Sequence, residues 1–178
     1  GGKRSMEFLP VWKRSSSSRR LADGRTLETV TYKDPATNLE VNRELIRFAR
    51  FPAIEVMLRI RNTGEADTPM LESILPLDFE FDPPGAGDVV FHHVLGSASR
   101  TVQDGEGGMS RDFSPVDKPL SQGAAISLVH YVTNGRVEPV ESYLPFFNMQ
   151  WQGGGMIGGI GWTGQWRIQA KRGGSRTV

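Results

Sequence analysis

The segment from Gly153 to Trp166 concentrates tryptophan and glycine in a way that could serve ligand recognition. With Trp151 just before it, this stretch holds three tryptophans and seven glycines. Glycine lets a backbone or a ligand approach closely, and an indole ring offers a flat apolar surface. In a β-sheet protein this pairing is typical of carbohydrate binding, where the ring stacks on a pyranose. Packing in the core is an equally natural role for such tryptophans, so both interpretations stand.

A dinucleotide-binding motif is the nearest competing interpretation of the same glycines. Gly153, Gly155 and Gly158 have the required spacing. The motif depends on a helix that follows it, because the helix N-terminus binds the pyrophosphate. The residues that follow, up to Trp166, are poor helix formers and predict a strand, a tight turn and a second strand. A nucleotide site is therefore not predicted, and no cofactor is expected.

Histidine spacing offers little for metal or acid–base chemistry. His92 and His93 are adjacent on a predicted strand, so their side chains point to opposite faces and cannot chelate one metal together. His130 lies on another predicted strand and is interpreted as structural. Motifs of serine hydrolases, zinc proteases and EF-hand calcium loops do not occur. No metal site and no catalytic histidine are predicted.

Carboxylates occur in two groups, neither of which defines an active site. One group lies in a long interval between predicted strands and the other along one predicted strand; they are Asp104, Glu106 and Asp112, and Asp78, Glu80 and Asp82. A retaining glycosidase needs two carboxyl groups about 5 Å apart, which sequence spacing cannot establish. Both groups are interpreted as solvated surface.

Composition predicts one globular domain rather than a membrane or disulfide-rich protein. The chain has 178 residues, of which 38% are hydrophobic, enough to bury a core. No apolar run has the length of a membrane span, and the N-terminus lacks the apolar core of a secretory signal. The absence of cysteine excludes disulfides and thiol catalysis.

Basic residues are concentrated at the two ends of the chain. Residues 1–26 hold seven Lys or Arg against two acids, residues 167–178 hold four against none, and ten face eighteen acids between them. A protein that binds duplex nucleic acid places its cations on the folded face that meets phosphate. The basic ends are therefore interpreted as solvated tails, and neither nucleic acid nor a membrane is expected as a partner.

Hydrophobic residues recur with period two, which predicts antiparallel strands. Residues 54–61 and 75–81 alternate apolar and mostly charged side chains. In the segment 39–48 the apolar phase changes, which predicts a β-bulge between Val41 and Ile46. Further strands are predicted at 26–33, 88–95, 124–132, 143–151, 155–162 and 165–170. Many strands with short turns and no long amphipathic helix predict an all-β, antiparallel β-sandwich.

The expected organisation has three parts. Residues 1–25, which include the polar run at 13–20, are expected to form a flexible basic lead-in, and residues 26–170 the β-sandwich. Residues 171–178 are expected to be a basic tail or the start of a further strand. The interval 96–123 is expected to be a long loop, and long loops in compact domains are often functional.

A series of short segments, in order along the chain, carries a family resemblance. They are Asp34-Pro35 with Thr37 to Val41, Phe51 to Glu55, Asn62 to Gly64 with Asp67 to Pro69, Gly96-Ser97, Asp112 to Pro115, Gly135-Arg136, Leu144 to Asn148, and Gly161 to Trp166. Over residues 26–170 the chain resembles the N-terminal β-sandwich of family 36 glycoside hydrolases, the α-galactosidase group.

The resemblance implies a supersandwich of the galactose-mutarotase type, of which this chain would hold an incomplete part. It also implies a separate (β/α)₈ barrel that carries the catalytic aspartates; those aspartates map to no position here. The chain is thus expected to be a noncatalytic domain, not an enzyme by itself, that supports a cognate barrel and oligomer contacts. An unfinished sandwich would expose an edge or a face, which predicts self-association.

Two alternatives remain open. The first is a stand-alone carbohydrate-binding module for an α-galactoside or a plant oligosaccharide. The candidate carbohydrate contacts are Trp151, Asp112, Phe113, Arg136, Trp162, Gln165 and Trp166. The second is a mutarotase-like enzyme in which His92 or His93 would act with Glu55 or Glu141 as acid and base.

Overall fold

A computed structural model describes Gly2 and residues 4–82, 87–96, 115–130, 143–162 and 164–173. Over these residues the chain is an antiparallel all-β protein, which confirms the predicted fold class. It has one short helix, α1 (Ser5–Phe8), followed by a 3₁₀ turn at Leu9–Val11. The strands are β1 (Lys13–Arg20), β2 (Thr26–Lys33), β3 (Leu39–Arg47), β4 (Ile54–Asn62), β5 (Val89–Leu95), β6 (Pro115–Leu120), β7 (Ala125–His130), β8 (Tyr143–Trp151), β9 (Gly154–Gly159) and β10 (Trp166–Lys171).

The chain divides into two compact units, Gly1–Glu80 and Phe81–Val178. None of the helices in the described residues combines the length and apolar character needed to cross a membrane.

The first unit is a four-stranded antiparallel sheet in the order β1-β2-β3-β4. Directly opposed residues share a face, so Val30, Arg43 and Leu58 form one cross-strand row. Tyr32, Val41 and Ile60 form the next row on that face. One face of the sheet is therefore mainly apolar, and we call it the apolar face. The other face carries polar pairs such as Arg59 with Glu44, whose Nε and Oε1 atoms lie 3.0 Å apart.

Strand β1 corrects the expectation of a flexible lead-in over the polar run at 13–20. All eight residues of β1 pair in register with β2, from Lys13 opposite Lys33 to Arg20 opposite Thr26. Every side chain of β1 is exposed. Since the strand buries nothing, its sequence lacks the hydrophobic period by which strands are recognised, and cross-strand backbone pairing defines it instead.

Strand β3 corrects the predicted bulge. Its pairing with β2 and with β4 runs without a register shift from Leu39 to Arg47. Leu45 lies on the apolar face with Leu39 and Val41, and Ile46 lies on the opposite face. The apparent phase change came from Ile46, an apolar residue on the opposite face, while Arg43 interrupts the apolar face in mid-strand. A register shift occurs elsewhere, between His93 and Leu95 where β5 pairs with β8.

The segment 75–81 was predicted to be a strand, and that prediction was wrong. It has no regular secondary structure, and its apolar side chains stay solvent-accessible: Leu75 is 65% exposed and Leu77 55%. Alternation shows which residues would share a face, but a strand also needs a partner edge. Pro76, the second residue of this segment, removes one backbone donor.

The second unit is a small two-layer sandwich. One layer is the sheet β6-β5-β8-β9 and the other is the pair β10-β7. Their facing side chains form the core: Val89, Phe91 and Leu120 from β5 and β6, Met149 from β8, and Leu128 and Ala170 from β7 and β10. Phe91 and Leu128 are fully buried. Strand β6 lies within the interval 96–123, which was expected to be a loop.

Candidate functional site

An aromatic hollow of about 380 Å³ lies in the second unit. Its lining is mostly apolar and aromatic, and His130 and Tyr143 are the lining residues whose side chains also carry a polar group. The lining residues are His130, Tyr143, Leu144, Pro145, Ile160, Gly161, Trp162 and Trp166. This volume lies within the range of about 300 to 1,000 Å³ that small-molecule pockets occupy. The hollow brings together two of the predicted carbohydrate contacts, Trp162 and Trp166.

Strand ends position the side chains of the hollow. His130 ends β7 and Trp166 begins β10, and the two residues are direct cross-strand partners. Tyr143 begins β8. Ile160 follows β9, and its amide N–H donates to the carbonyl oxygen of Pro145 at 2.7 Å. Backbone pairing within the sandwich thus positions His130, Trp166 and Tyr143, while Trp162 lies just beyond the end of β9.

Trp162 is the tryptophan that the hollow presents to solvent. Its side chain is 66% exposed. The indole lies against Gly164, where a Cβ atom would come within 2.5 Å of the indole Nε1. Glycine at this position therefore gives the ring the space it occupies. The exposed indole beside the hollow leaves an apolar ring surface accessible from solvent.

Trp166 has a supporting role in the same hollow. Its ring stacks on that of His130, with centroids 5.6 Å apart and planes 19° from parallel. It is half-buried and also packs against the core of the second unit. The stacked pair forms a rigid wall, and the imidazole brings a ring nitrogen to an otherwise apolar lining.

Tyr143 links the hollow to the core. Its ring meets the imidazole of His93 edge-on, with centroids 5.3 Å apart. His93 is 3% exposed and lies next to Phe91 as well, with ring centroids 6.1 Å apart. The tyrosine ring, which lines the hollow, is therefore anchored by buried neighbours.

The other predicted contacts lie elsewhere. Trp151 packs on the core, with its indole against Gly154 and its ring centroid 5.4 Å from that of Phe81. It does not line the hollow. Gln165 is exposed next to Trp166 and is not among the lining residues. Asp112, Phe113 and Arg136 lie outside the described residues.

A polar group on the outer face of the main sheet escaped sequence analysis. Nδ1 of His92 lies 2.7 Å from Oδ1 of Asp117, and its Nε2 lies 3.0 Å from Oε1 of Gln150. Both ring nitrogens of His92 therefore face oxygen atoms, and the tautomer decides which nitrogen donates a hydrogen bond. His92 and Asp117 are cross-strand neighbours on β5 and β6. The pair was missed because β6 was not predicted.

His92 and His93 lie as predicted, and the mutarotase-like alternative stays a prediction. His92 and His93 point to opposite faces of β5, since one reaches Asp117 and the other the core. Glu55 belongs to the first unit, and Glu141 lies outside the described residues. Among the residues that the structure describes, no group of three His, Asp or Glu could hold a metal ion.

Comparison of the chain with protein-family models, curated proteins and solved structures finds no match.

Proposed function

We propose that this chain binds carbohydrate, without cleaving it, at the aromatic hollow. One observation carries the proposal: Trp162 keeps 66% of its surface exposed while it lines a hollow of about 380 Å³. A large indole left in solvent loses the free energy that burial would supply, about 1.5 to 3 kcal/mol for a large apolar side chain. Covering the ring with a ligand recovers part of that free energy.

The chemistry of the lining fits a sugar ring. A pyranose has an apolar face of C–H groups and a rim of hydroxyls. Trp162 offers a surface for the apolar face, and the imidazole of His130 can exchange a hydrogen bond with the rim. A few polar groups in an otherwise apolar pocket are what fixes the orientation of a small ligand.

The same lining supports binding over cleavage. Glycoside hydrolysis takes a pair of carboxyl groups on either side of the scissile bond. Among the residues that the structure describes, those that line the hollow include no Asp or Glu. The resemblance to family 36 adds the ligand class, an α-galactoside or a galactose-containing plant oligosaccharide.

Replacement of Trp162 by alanine tests the proposal. Calorimetric titration should show that the chain binds methyl α-galactoside or galactomannan, and that Trp162→Ala raises Kd at least tenfold, about 1.4 kcal/mol. Phe146→Ala is the matched control, because Phe146 is an exposed aromatic residue of β8 (47%) that does not line the hollow. Thermal melts establish that both variants fold. No heat with any galactoside, or equal losses in both variants, would contradict the proposal.

The resemblance favours a second role, compatible with the first. In the α-galactosidase group the N-terminal sandwich accompanies a catalytic barrel. We propose that the chain also serves as a noncatalytic platform for such a barrel. The order of the matching segments over residues 26–170 supports this role.

A further inference from the structure

The outer edge of β1 is a basic surface that the rest of the first unit leaves open. In the sheet order β1 is the terminal strand, paired with β2 alone. Every second residue of an edge strand directs its N–H and C=O groups outward. The strand carries Lys13, Arg14, Arg19 and Arg20 and no acid, and all of its side chains are exposed. Within the part of the chain that the structure describes, no ion pair neutralises these four cations.

The same charges disfavour pairing of β1 with a second β1. In a two-fold antiparallel pair, Lys13 would lie opposite Arg20 of the other copy, and Arg14 opposite Arg19. Like charges in direct cross-strand contact are destabilising. Basic residues on an edge strand are a common defence against uncontrolled edge-to-edge pairing. The edge of β1 is therefore expected to pair more favourably with an acidic strand than with a second β1.

The first unit also holds a segment with the complementary character, Leu71–Glu80, which we call the acidic segment. It has no regular secondary structure and carries Glu72, Asp78 and Glu80 with no basic residue. Its exposed apolar residues include Ile74 (50%), Leu75 (65%) and Leu77 (55%). No ion pair within the described residues involves its three acids.

The spacing of charge matches between the two elements. Glu72 and Asp78 are six residues apart, as are Lys13 and Arg19. Because this spacing is even, the two charges of each strand point to the same face, about 20 Å apart. An antiparallel register with Glu72 opposite Arg19 also puts Asp78 opposite Lys13. Two opposite-charge pairs then form at once.

The same register places apolar residues where they extend an existing surface. It sets Leu75 opposite Ser16 and Leu77 opposite Arg14. Ser16 is paired with Val30, and Arg14 with Tyr32, both on the apolar face of the sheet. The two leucines would thus continue that face by one strand. Pro76 is compatible with this addition when its nitrogen faces solvent, as every second nitrogen of the new edge strand does.

We propose that β1 pairs antiparallel with the acidic segment of a second copy of this chain, in the register that places Glu72 opposite Arg19. The association is a strand addition, with backbone hydrogen bonds supplying affinity and the two charge pairs setting the register. Both elements are present in every copy, so two chains can exchange them reciprocally.

Charge reversal tests the partner surfaces. Sedimentation equilibrium of the full chain at low ionic strength should show self-association. The double variant Lys13→Glu with Arg19→Glu should raise the dimer Kd at least about tenfold. Arg14→Glu with Arg20→Glu makes the same change of charge on the opposite face of β1 and should weaken association less. The variant Glu72→Lys with Asp78→Lys should raise the dimer Kd by a similar factor. Mixing it with the Lys13/Arg19 variant should restore association, because each β1 then meets a segment of opposite charge.

Disulfide trapping tests the register. The chain contains no cysteine, so introduced thiols report only on each other. Chains with Ser16→Cys mixed with chains carrying Leu75→Cys should form a disulfide-linked dimer, because directly opposed residues have Cβ atoms about 4.5 to 5.5 Å apart. Ser18→Cys with Leu75→Cys is out of register and should link poorly.

Several results would overturn the proposal. A monomer at all concentrations would do so, as would undiminished association of both charge-reversed variants or failure of their mixture to associate. Equal losses in the Lys13/Arg19 and Arg14/Arg20 variants, or equal linking at Ser16 and Ser18, would reject the register. If the β1 variant does not fold, the Glu72/Asp78 variant and the trapping experiment still decide the outcome.

Discussion

Glycine and aromatic side chains form matched contacts in the last third of the chain. A Cβ atom at Gly154 would lie 2.9 Å from the indole of Trp151, one at Gly164 2.5 Å from that of Trp162, and one at Gly158 2.4 Å from the ring of Phe147. In each case the ring occupies the volume that a larger residue would fill. The glycines are therefore part of how these rings are oriented, in the core and at the hollow alike.

Gly158→Ala should destabilise the second unit by about 1 to 3 kcal/mol, as overpacking of a core does. The Phe147 ring cannot retreat freely, because it stacks on the fully buried Phe91 with centroids 5.2 Å apart. Denaturant unfolding measures the loss. Gly161→Ala is the matched control, since nothing lies within 4 Å of its added Cβ. Equal stability of the two variants would show that the Phe147 contact is not restrictive.

The sequence predicts which residue types could contact a sugar, but it does not predict the role of each tryptophan. Trp151, Trp162 and Trp166 all lie near glycines, and all three were candidate sugar contacts. The structure separates them into a core residue, an exposed residue and a half-buried wall. The exposure of each ring depends on which residues of the facing sheet cover it. The sequence immediately around each tryptophan does not contain that information.

Among the elements, the turn from β2 to β3 shows how local chemistry fixes a hairpin. The carboxylate of Asp34 accepts the Thr37 hydroxyl at 2.6 Å and the Ala36 amide at 3.1 Å. The amide of Asn38 donates to the Asp34 carbonyl at 3.0 Å, and Asn38 has a φ of 59°. Asparagine tolerates this left-handed conformation better than most residues.

These hydrogen bonds predict a pH dependence. The Thr37 hydroxyl, and next the Ala36 amide, hold the pKa of the Asp34 carboxyl below its ordinary value of 3.8. A lowered folded-state pKa stabilises the fold above the unfolded-state pKa, and this contribution is lost as the pH falls through the folded-state value. Asp34→Ala should therefore melt at a lower temperature than wild type at pH 7, with a smaller difference at pH 3. A pH-independent difference would assign the effect to the turn backbone instead.

Hydrophobic periodicity predicts some strands of this protein well and misses others. Strands β2, β4 and β8 were predicted almost to the residue, because each alternates or lies between strong turn signals. Strand β1 has serines and basic residues throughout, and β6 contains two prolines, so neither has a hydrophobic period. The segment 75–81 has the hydrophobic period of a strand but does not form one. Periodicity predicts which residues can share a face, and pairing decides which edge is used.

Within the whole molecule, the two units differ in how much apolar surface each of them buries. The buried core of the second unit joins six side chains from two sheets. In the first unit, the buried apolar side chains among the described residues are Val30 and Leu39. A single sheet with one apolar face gains most of its stability from whatever covers that face. A partner domain or a second copy would provide such cover.

The platform role makes a prediction at this scale. If the parent reading frame encodes a (β/α)₈ barrel, the separately expressed barrel should bind the present chain and gain stability or α-galactosidase activity on mixing. Binding to a partner raises the melting temperature by mass action. An unrelated β-sandwich of similar size is the control. A barrel that is fully active alone and does not bind the chain would remove this role.

From the amino-acid order alone came the all-β class, the main hairpins and a glycine–tryptophan segment suited to rings, because these depend on local periodicity and turn chemistry. The tertiary structure decided that β1 is an ordered basic edge, that His92 meets Asp117, and that Trp162 rather than Trp151 faces solvent. Those outcomes depend on contacts between residues far apart in the chain. Burial, charge pairing and open edges are properties of such contacts, so no local pattern could specify them.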